Sequence, residues 1–180
     1  MPNELLKYTI FKTSWGYFGL AGSDRTLYRT CLPMRDRQKA ERNLLKDLPA
    51  AQYDRDYLRP LQRRVIAYFE SARVDFSPDM PILLEGFSRF ARRVLAACRQ
   101  IRLGEVVTYS GLARKTGRPA AARSVGNALA KNPLPLIIPC HRVIRSDGRI
   151  GGFSGPGGAT MKKRLLELER SLNVPGAGFS

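Results

Sequence analysis

Residues 109–131 read YSGLARKTGRPAAARSVGNALAK, and this stretch carries the clearest structural pattern in the chain. Leu112 and Ala113 give a first short helix its apolar side, and Gly117 is placed to end that helix. Pro119 follows at a position where a second helix can begin. Two compact helices with a glycine in the turn between them are typical of a helix-turn-helix, although an ordinary pair of packed helices has the same pattern.

The second helix of this stretch has an apolar side and a side of small and polar residues. Val125 and Leu129 are four residues apart and are predicted to face the core. The outward positions hold Arg123, Gly126, Asn127, Ala130 and Lys131. Small outward side chains let a helix backbone approach a nucleic-acid groove closely, and Arg123 is the long cation in the N-terminal half. Arg123, Asn127 and Ala130 are therefore predicted DNA contacts.

The chain of 180 residues has 31 basic and 15 acidic side chains, and the excess lies in its second half. Residues 1–85 carry 14 basic and 11 acidic side chains, a net charge of +3, whereas residues 86–180 carry 17 and 4, a net charge of +13. A half this basic predicts a polyanionic partner, and nucleic acid is favoured over a membrane surface because no clear basic amphipathic helix with bulky apolar anchors is present. A basic protein without such a partner is the alternative.

The composition also bears on localisation. No apolar run approaches the roughly 20 residues of a membrane span, so no membrane association is expected. No secretory signal is visible near the N-terminus. We therefore expect a cytoplasmic protein, or a nuclear one in a eukaryote.

Three cysteines, Cys31, Cys98 and Cys140, are too few and too scattered for a disulfide framework. The chain has one histidine and no Cys-x-x-Cys pair, so no metal site is expected. Cys98 lies in an apolar helical pattern and Cys31 follows a strand-like run, and both are interpreted as core residues. Cys140 differs because its neighbours are chemically reactive.

The neighbours of Cys140 form the stretch NPLPLIIPCHRV, residues 132–143. Three prolines exclude a regular helix and present Cys140 and His141 from a rigid loop. A thiol is a good nucleophile when ionised, and the imidazole, the charge of Arg142 and a nearby helix N-terminus are expected to lower its pKa. Since adjacent residues of an extended chain point in opposite directions, His141 would act on the thiol through a bridging water or a turn. A chance Cys-His pair is the alternative.

A carboxylate and an aromatic residue would complete such a site. The carboxylate is needed on the far imidazole nitrogen, and the candidates in this half are Glu105, Asp147, Glu167 and Glu169. Residues 148–158, GRIGGFSGPGG, contain glycines that let backbone N–H groups approach a flat ligand, on which Phe153 could stack. The stretch lacks the Gly-Lys-Ser/Thr of a Walker loop, and by itself it also fits a flexible loop.

The remaining pattern divides the chain into two parts. Runs of β-forming residues between turns predict antiparallel strands over 7–12, 15–21 and 26–32. Helical spacing predicts helices over 35–48, 57–71, 87–102 and 162–172, with an extended piece at 105–107 and a proline-containing linker at 75–81. The predicted fold is an α/β N-terminal domain with an antiparallel sheet and helices, residues 1–80. A mainly α, winged-helix-like domain containing the helix-turn-helix follows, residues 81–180.

The ordered motifs of the second half resemble a known family. IPCHRV, preceded by ARSVGNALAKNPLPLI and followed by GGFSGPGG and KKRLLELE, closely resembles the O6-alkylguanine-DNA alkyltransferases, or methylated-DNA–protein-cysteine methyltransferases, over about residues 86–172. The resemblance implies repair of O6-alkylguanine in double-stranded DNA after base flipping, with O4-alkylthymine as a further candidate substrate. The alkyl group would pass irreversibly to the protein, and no cofactor would be needed. The protein would be a monomer that binds the minor groove of the DNA.

The resemblance also implies roles for individual residues of the reactive centre. Cys140 resembles the alkyl acceptor and His141 the water-mediated base. Glu169 resembles the acid that orients the histidine, from the pattern Lys-x-x-Leu-Leu-x-x-Glu that starts at Lys162, which is counted among the catalytic residues. The glycine loop is two residues longer than in some relatives, which leaves Glu167 as the alternative acid.

Further residues correspond to the family's DNA and substrate contacts. Asn132 resembles the hinge between the helix-turn-helix and the acceptor loop, and Arg123 the finger that fills the place of the flipped base. Tyr109 resembles the tyrosine that contacts the target phosphate and helps to protonate the leaving guanine, and Arg142 is taken as a further DNA contact. The alkylguanine pocket is expected from Val143, Phe153, Ser154 and Gly155, with Ser154 acting through its backbone N–H.

Two other classes of protein fit parts of this pattern. A helix-turn-helix transcription regulator would use Cys140 only as a structural residue. A Cys-His hydrolase would turn over many substrate molecules. One departure from the family also matters, because Phe153 stands where several members have tyrosine, so contact with the base would rest on stacking.

Overall fold

The N-terminal part is built around a small twisted sheet. The computed structural model describes residues 5–76 and 80–172. Strands β1 (Lys7–Thr13), β2 (Gly16–Gly22) and β3 (Leu27–Met34) pair antiparallel, which confirms the three predicted strands. A fourth strand, β4 (Gln52–Tyr53), pairs parallel with β1 and gives the order β3-β2-β1-β4. It was not predicted, because two exposed residues carry no alternating pattern.

Two helices accompany the sheet. Helix α1 (Arg37–Leu45) begins where the side chain of Asp36 accepts a hydrogen bond from Lys39 N, and it packs on β2 and β3. Helix α2 (Arg59–Phe69) has a proline in its first turn and packs on β1. Both helices lie within the predicted ranges. The buried side of α2 carries Tyr68, which reaches residues of the second half of the chain.

The C-terminal part is mainly helical, as predicted. Its helices are α3 (Arg89–Arg99), α4 (Tyr109–Lys115), α5 (Ala122–Ala130) and α6 (Gly158–Leu172). Two short parallel strands, β5 (Val107–Thr108) and β6 (Val143–Ile144), run beside α4. A three-residue 3₁₀ turn, Cys140–Arg142, precedes β6. Of the predicted linker 75–81, residues 77–79 lie outside the described residues.

Helices α4 and α5 pack against each other and against α3 as a helix-turn-helix. Gly117 ends the first helix with a φ of +76°, a left-handed conformation that glycine adopts without steric cost. Val125 and Leu129 are buried, as expected from their spacing. Arg123, Asn127, Ala130 and Lys131 are exposed, so α5 presents the predicted small and polar surface.

One large cluster of buried side chains spans both halves of the chain. Phe18 of β2 and Tyr68 of α2 belong to the same cluster as Leu95 of α3, Val125 of α5 and Leu165 of α6. The N-terminal elements are therefore packed directly against the helices that carry the site described below. The domain boundary at residue 80 stays a prediction. Among the described residues, no helix combines the length and apolar character needed to cross a membrane.

Candidate active site

The loop between α5 and Cys140 is tied together by one side chain, Asn132. Its Oδ1 accepts a hydrogen bond from Leu134 N at 3.0 Å. Its Nδ2 donates to the carbonyl of Ile138 at 2.9 Å and to Cys140 Sγ at 3.2 Å. Asn132 lies two residues after the end of α5, so these bonds connect the helix-turn-helix to the acceptor loop, and its role as a hinge stays a prediction.

The backbone of this loop is held in place by burial. Leu134, Leu136, Ile137 and Ile138 are all buried. Leu136 has a φ of +77°, a conformation that costs a residue with a side chain about 1 kcal/mol or more and persists only where packing enforces it. The loop is therefore a rigid support for Cys140 before any ligand arrives.

Cys140 begins the 3₁₀ turn and is only 8% exposed. Burial raises the pKa of its thiol, and the Asn132 amide and the Lys162 ammonium oppose that shift without cancelling it. The expectation that Arg142 and a helix N-terminus lower this pKa is wrong. Arg142 is turned towards a carboxylate, and the turn has only three residues. The thiol is protonated at neutral pH and needs a base.

His141 follows Cys140 in the 3₁₀ turn, and its imidazole is fully buried. Its Nε2 lies 2.8 Å from Glu169 Oε1, and its Nδ1 is buried with no hydrogen-bond partner among the described residues. Burial lowers the pKa of His141 although Glu169 opposes the shift, so the ring is neutral at neutral pH. Because the carboxylate can only accept, we assign the ring proton to Nε2. Nδ1 is then left with a free lone pair.

The carboxylate of Glu169, on α6, is the most heavily hydrogen-bonded group of the site. Oε1 accepts from His141 Nε2, from Tyr68 Oη at 2.8 Å and from Arg142 Nη2 at 2.9 Å, and Oε2 accepts from Arg142 Nε at 2.9 Å. Burial alone would raise the pKa of Glu169, but the hydrogen bonds with His141 and Arg142 and the charge of Arg142, joined in acid by the charge of protonated His141, lower it to about 2. Glu167, the alternative acid, points to solvent and pairs with Lys163.

Arg142 does not contact DNA in the way we expected. It is 1% exposed, and its guanidinium is shared between Glu169, the carbonyl of Ile101 and the side chain of Asp75. A cation enclosed by these acceptors cannot reach a phosphate. Its predicted role as a DNA contact is therefore wrong, and its place is inside the hydrogen-bond network of the site.

Lys162, on α6, connects the strand that follows the acceptor loop with Tyr109 of the helix-turn-helix. Its Nζ donates to the carbonyl of Val143 at 2.6 Å, to Tyr109 Oη at 3.3 Å and to the carbonyl of Gly152 at 3.4 Å. Burial lowers the pKa of Lys162 to about 8 and raises the pKa of Tyr109. The Tyr109 hydroxyl accepts from the ammonium, so its own proton is available to a ligand.

A cavity of about 340 Å³ opens at Cys140. Its lining residues are Tyr109, Gly126, Leu129, Ala130, Cys140, Gly152, Phe153 and Ser154. Ser154 Oγ donates to the carbonyl of Ala130 at 2.7 Å, which fastens the glycine loop to the end of α5. Gly155, also expected in the pocket, does not line this cavity; it packs against the Phe153 ring, from which a Cβ at Gly155 would lie 2.7 Å. Val143 was expected in this wall, but its side chain is fully buried and does not line the cavity.

A second groove, of about 500 Å³, adjoins this cavity and shares Tyr109, Gly126 and Gly152 with it. Arg123 and Asn127 line the groove, so the predicted finger lies next to the mouth of the cavity. Arg145 lines it too and was not predicted, because one more arginine in a basic half carries no distinguishing signal. Tyr68 was also missed, since its spacing in α2 is that of an ordinary core residue.

Comparisons with known proteins bear on the family of this chain. Residues 89–171 match the family model described as 6-O-methylguanine DNA methyltransferase, DNA binding domain. A methylated-DNA–protein-cysteine methyltransferase of Cricetulus griseus is 35% identical over 178 residues, covering 91% of this chain and 82% of the relative. One of Methanothermobacter thermautotrophicus is 42% identical over 113 residues, covering 62% of this chain and only 61% of the relative.

The fold has solved counterparts as well. The crystal structure of Mycobacterium tuberculosis OGT in complex with DNA superimposes with a TM-score of 0.76 at 32% identity. That similarity covers 92% of this chain and 94% of the other. Together with the match to the Cricetulus protein, which covers 91% of this chain, it extends the relationship from the DNA-binding half to the whole fold. The chain belongs to the methylated-DNA–protein-cysteine methyltransferase family.

Proposed function

We propose that this protein repairs O6-alkylguanine in duplex DNA by transferring the alkyl group irreversibly to Cys140. The observation that carries the proposal is that Cys140 lines a cavity next to an exposed, basic helix-turn-helix, while the adjacent His141 is buried and hydrogen-bonded to Glu169. A buried thiol, a neutral imidazole with a free nitrogen and an ionised carboxylate are the parts that nucleophilic attack requires.

The transfer itself is a displacement at the alkyl carbon. The proton of the Cys140 thiol passes, through a water molecule, to His141 Nδ1, and the sulfur attacks the alkyl carbon as the bond between that carbon and O6 breaks. The negative charge of Glu169 stabilises the imidazolium that forms, while the Asn132 amide and the Lys162 ammonium stabilise the thiolate.

The departing guanine needs a proton, and Tyr109 is placed to provide it. The Tyr109 hydroxyl lines the cavity and accepts a hydrogen bond from Lys162, which favours release of its own proton. The imidazolium and tyrosinate that remain return to neutral by exchange with solvent. The thioether on Cys140 is stable in water, so each molecule reacts once.

The target base must leave the helix stack to reach a nucleophile at the floor of a cavity, and this costs a few kcal/mol. Arg123 is exposed beside the cavity mouth and is our candidate for the side chain that fills the gap. The small exposed residues of α5, with Asn127 and Ala130 among them, suit approach to the minor groove, where sequence is read poorly. Binding to many sequences is what a repair protein requires, and we propose that the protein acts as a monomer.

The deciding experiment is a mass-mapped transfer assay. The full chain is incubated with duplex DNA containing one O6-methylguanine, and peptides are analysed by mass spectrometry. We expect one methyl group per protein molecule, on Cys140, and none in Cys140→Ser or with unmodified duplex. A methyl group on Cys31 or Cys98 with an untouched Cys140 would contradict the proposal.

The same assay separates the two other classes of protein. A Cys-His hydrolase would continue to turn over after one equivalent, whereas alkyl transfer stops. A transcription regulator would bind one DNA sequence far more tightly than others and would transfer nothing. Equal binding of unrelated duplexes, with transfer confined to the damaged one, is the result that we expect.

A further inference from the structure

The reaction described so far gives no role to Tyr68, which belongs to the buried hydrogen-bond network of Glu169. Tyr68, on α2 of the N-terminal part, donates its hydroxyl hydrogen bond to Glu169 Oε1 at 2.8 Å across a separation of 101 residues. Its side chain is fully buried, with its ring against those of Phe69 and Phe76. Burial raises its pKa well above 10.0, so the hydroxyl keeps its proton and remains a donor throughout the working pH range.

The Tyr68 hydroxyl donates to the same carboxylate oxygen of Glu169 that His141 contacts. Oε1 of Glu169 is the atom that accepts from His141 Nε2, and it also accepts from Arg142 Nη2. Three donors on one oxygen, with a fourth on Oε2, fix both the position and the plane of the carboxylate. Arg142 is itself held by the carbonyl of Ile101 and by Asp75. The donors approach from α2 and from the 3₁₀ turn, so neither side alone sets the geometry.

We propose that Tyr68 is a positioning residue for alkyl transfer: it holds Glu169 Oε1 in line with His141 Nε2, which aims Nδ1 at the Cys140 thiol. The inference rests on the proposed function, because it assigns Tyr68 to that reaction. It also gives the N-terminal part a role in the chemistry, since α2 completes the hydrogen-bond network from outside the helical half.

Removing the hydroxyl has two consequences that a purely structural residue would not produce. The carboxylate loses one donor, becomes more basic and stabilises the imidazolium better, so the pKa of His141 rises. The carboxylate also becomes free to tilt, so alkyl transfer slows by about fivefold, the factor for one ordinary hydrogen bond. Besides Glu169, the charged or titratable groups around His141 are Lys162 on α6 and Arg142 and Cys140 of the turn, and Tyr68→Phe removes none of them.

The matched control is Tyr57→Phe. Tyr57 is a second buried tyrosine of the N-terminal part, and its hydroxyl donates to the carbonyl of Ser23 at 2.8 Å, away from Glu169. Losing that hydroxyl tests the general cost of removing a buried tyrosine hydrogen bond. Both variants are compared with the unaltered full chain.

The first measurement is the titration of the histidine by NMR. The chain has a single histidine, so in protein without a histidine tag the His141 resonances need no assignment. We expect the midpoint to move to higher pH in Tyr68→Phe and to stay in place in Tyr57→Phe. If Tyr68→Phe does not fold, 3-fluorotyrosine at position 68 keeps the hydroxyl and makes it a stronger donor, so the midpoint should move to lower pH.

The second measurement is the single-turnover transfer rate as a function of pH. In Tyr68→Phe we expect slower transfer with unchanged affinity for the duplex. The acidic limb of the pH profile should move to higher pH together with the midpoint of the His141 titration. Identical rates and midpoints in Tyr68→Phe and Tyr57→Phe would overturn the inference. Absence of transfer by the unaltered protein would instead overturn the proposed function, whereas the NMR result stands by itself.

Discussion

Exchanging Asn132 for aspartate replaces the side-chain NH₂ at the centre of the site with an oxygen and leaves the size of the side chain nearly unchanged. The acceptor Oδ1 is retained for Leu134 N, but the amide that donates to the carbonyl of Ile138 and to Cys140 Sγ becomes an oxygen. The contact with the Ile138 carbonyl thus becomes one between two acceptors, and the Cys140 sulfur loses the donor that stabilises its thiolate. The buried Ile138 carbonyl keeps its other donor, the backbone N–H of Cys140 at 2.8 Å.

The size of the effect follows from these contacts. Loss of one ordinary hydrogen bond to an acceptor that keeps another donor costs about 0.5 to 1.5 kcal/mol, so we expect Asn132→Asp to lower the free energy of unfolding by about 1 kcal/mol. A hydrogen bond to an ionised acceptor contributes about 1.5 to 3 kcal/mol, and each 1.4 kcal/mol is a factor of ten. Loss of the donor to the Cys140 thiolate should therefore slow alkyl transfer by about 10- to 100-fold.

Two measurements check this expectation. Urea unfolding gives the stability, and quenched single-turnover transfer to Cys140 gives the rate. Asn43→Asp is the matched control, because Asn43 is exposed on α1 and the same chemical change there should alter neither quantity. Asn132→Ala removes the donor without adding a charge, and should lie between the wild type and Asn132→Asp in transfer rate. If Asn132→Asp transfers and unfolds like the wild type, the assignment of Nδ2 as the donor to the loop is wrong.

Three further changes test other parts of the site. Glu169→Gln should lower the free energy of unfolding at pH 7, measured with urea, by about 3 kcal/mol. The same exchange at exposed Glu167 should change that free energy by less than about 0.5 kcal/mol. Because folding lowers the pKa of Glu169 from 4.5 to about 2, its contribution is complete above pH 4.5 and should be lost as the pH falls towards 2. Gly155→Ala should weaken binding of the flipped base, measured with free O6-alkylguanine as competitor, because its Cβ would displace the Phe153 ring; unchanged competition would show that the ring position is unimportant. Lys162→Met should raise the pKa of the acceptor thiol, seen as an upward shift of its iodoacetamide alkylation profile, and a profile that does not move would remove the ammonium from the list of groups that stabilise the thiolate.

Much of the secondary structure was predictable because it depends on short-range sequence patterns. The strands β1 to β3 and the six helices follow from β-forming runs, helical spacing and the proline and glycine that punctuate them. Strand β4 was not predictable, since two exposed residues join the sheet only because the chain after α1 passes along β1. Its pairing is a consequence of packing rather than of its own residues.

The candidate site was predictable in its parts and less so in its arrangement. Asn132 and Lys162 were identified through the family resemblance. In the structure Asn132 donates a hydrogen bond to the Cys140 thiol, and Lys162 donates one to the Tyr109 hydroxyl. Arg142 was misjudged because an arginine beside a reactive cysteine looks like a phosphate contact until its burial is known. Val143 was misplaced for the same reason, because a short strand buries its side chain and leaves only its carbonyl to the site.

The sequence by itself determined the chemistry available to this protein: a cysteine and the single histidine on a proline-stiffened loop, after a helix-turn-helix in a half with a net charge of +13. These features depend on residue type and on neighbours within a few positions. Only the tertiary structure decided which carboxylate meets His141, 28 residues away, and that Tyr68 reaches the same oxygen from 101 residues away. It also reversed the expected sign for the thiol pKa, because desolvation depends on how completely the fold buries a group, which no local pattern records.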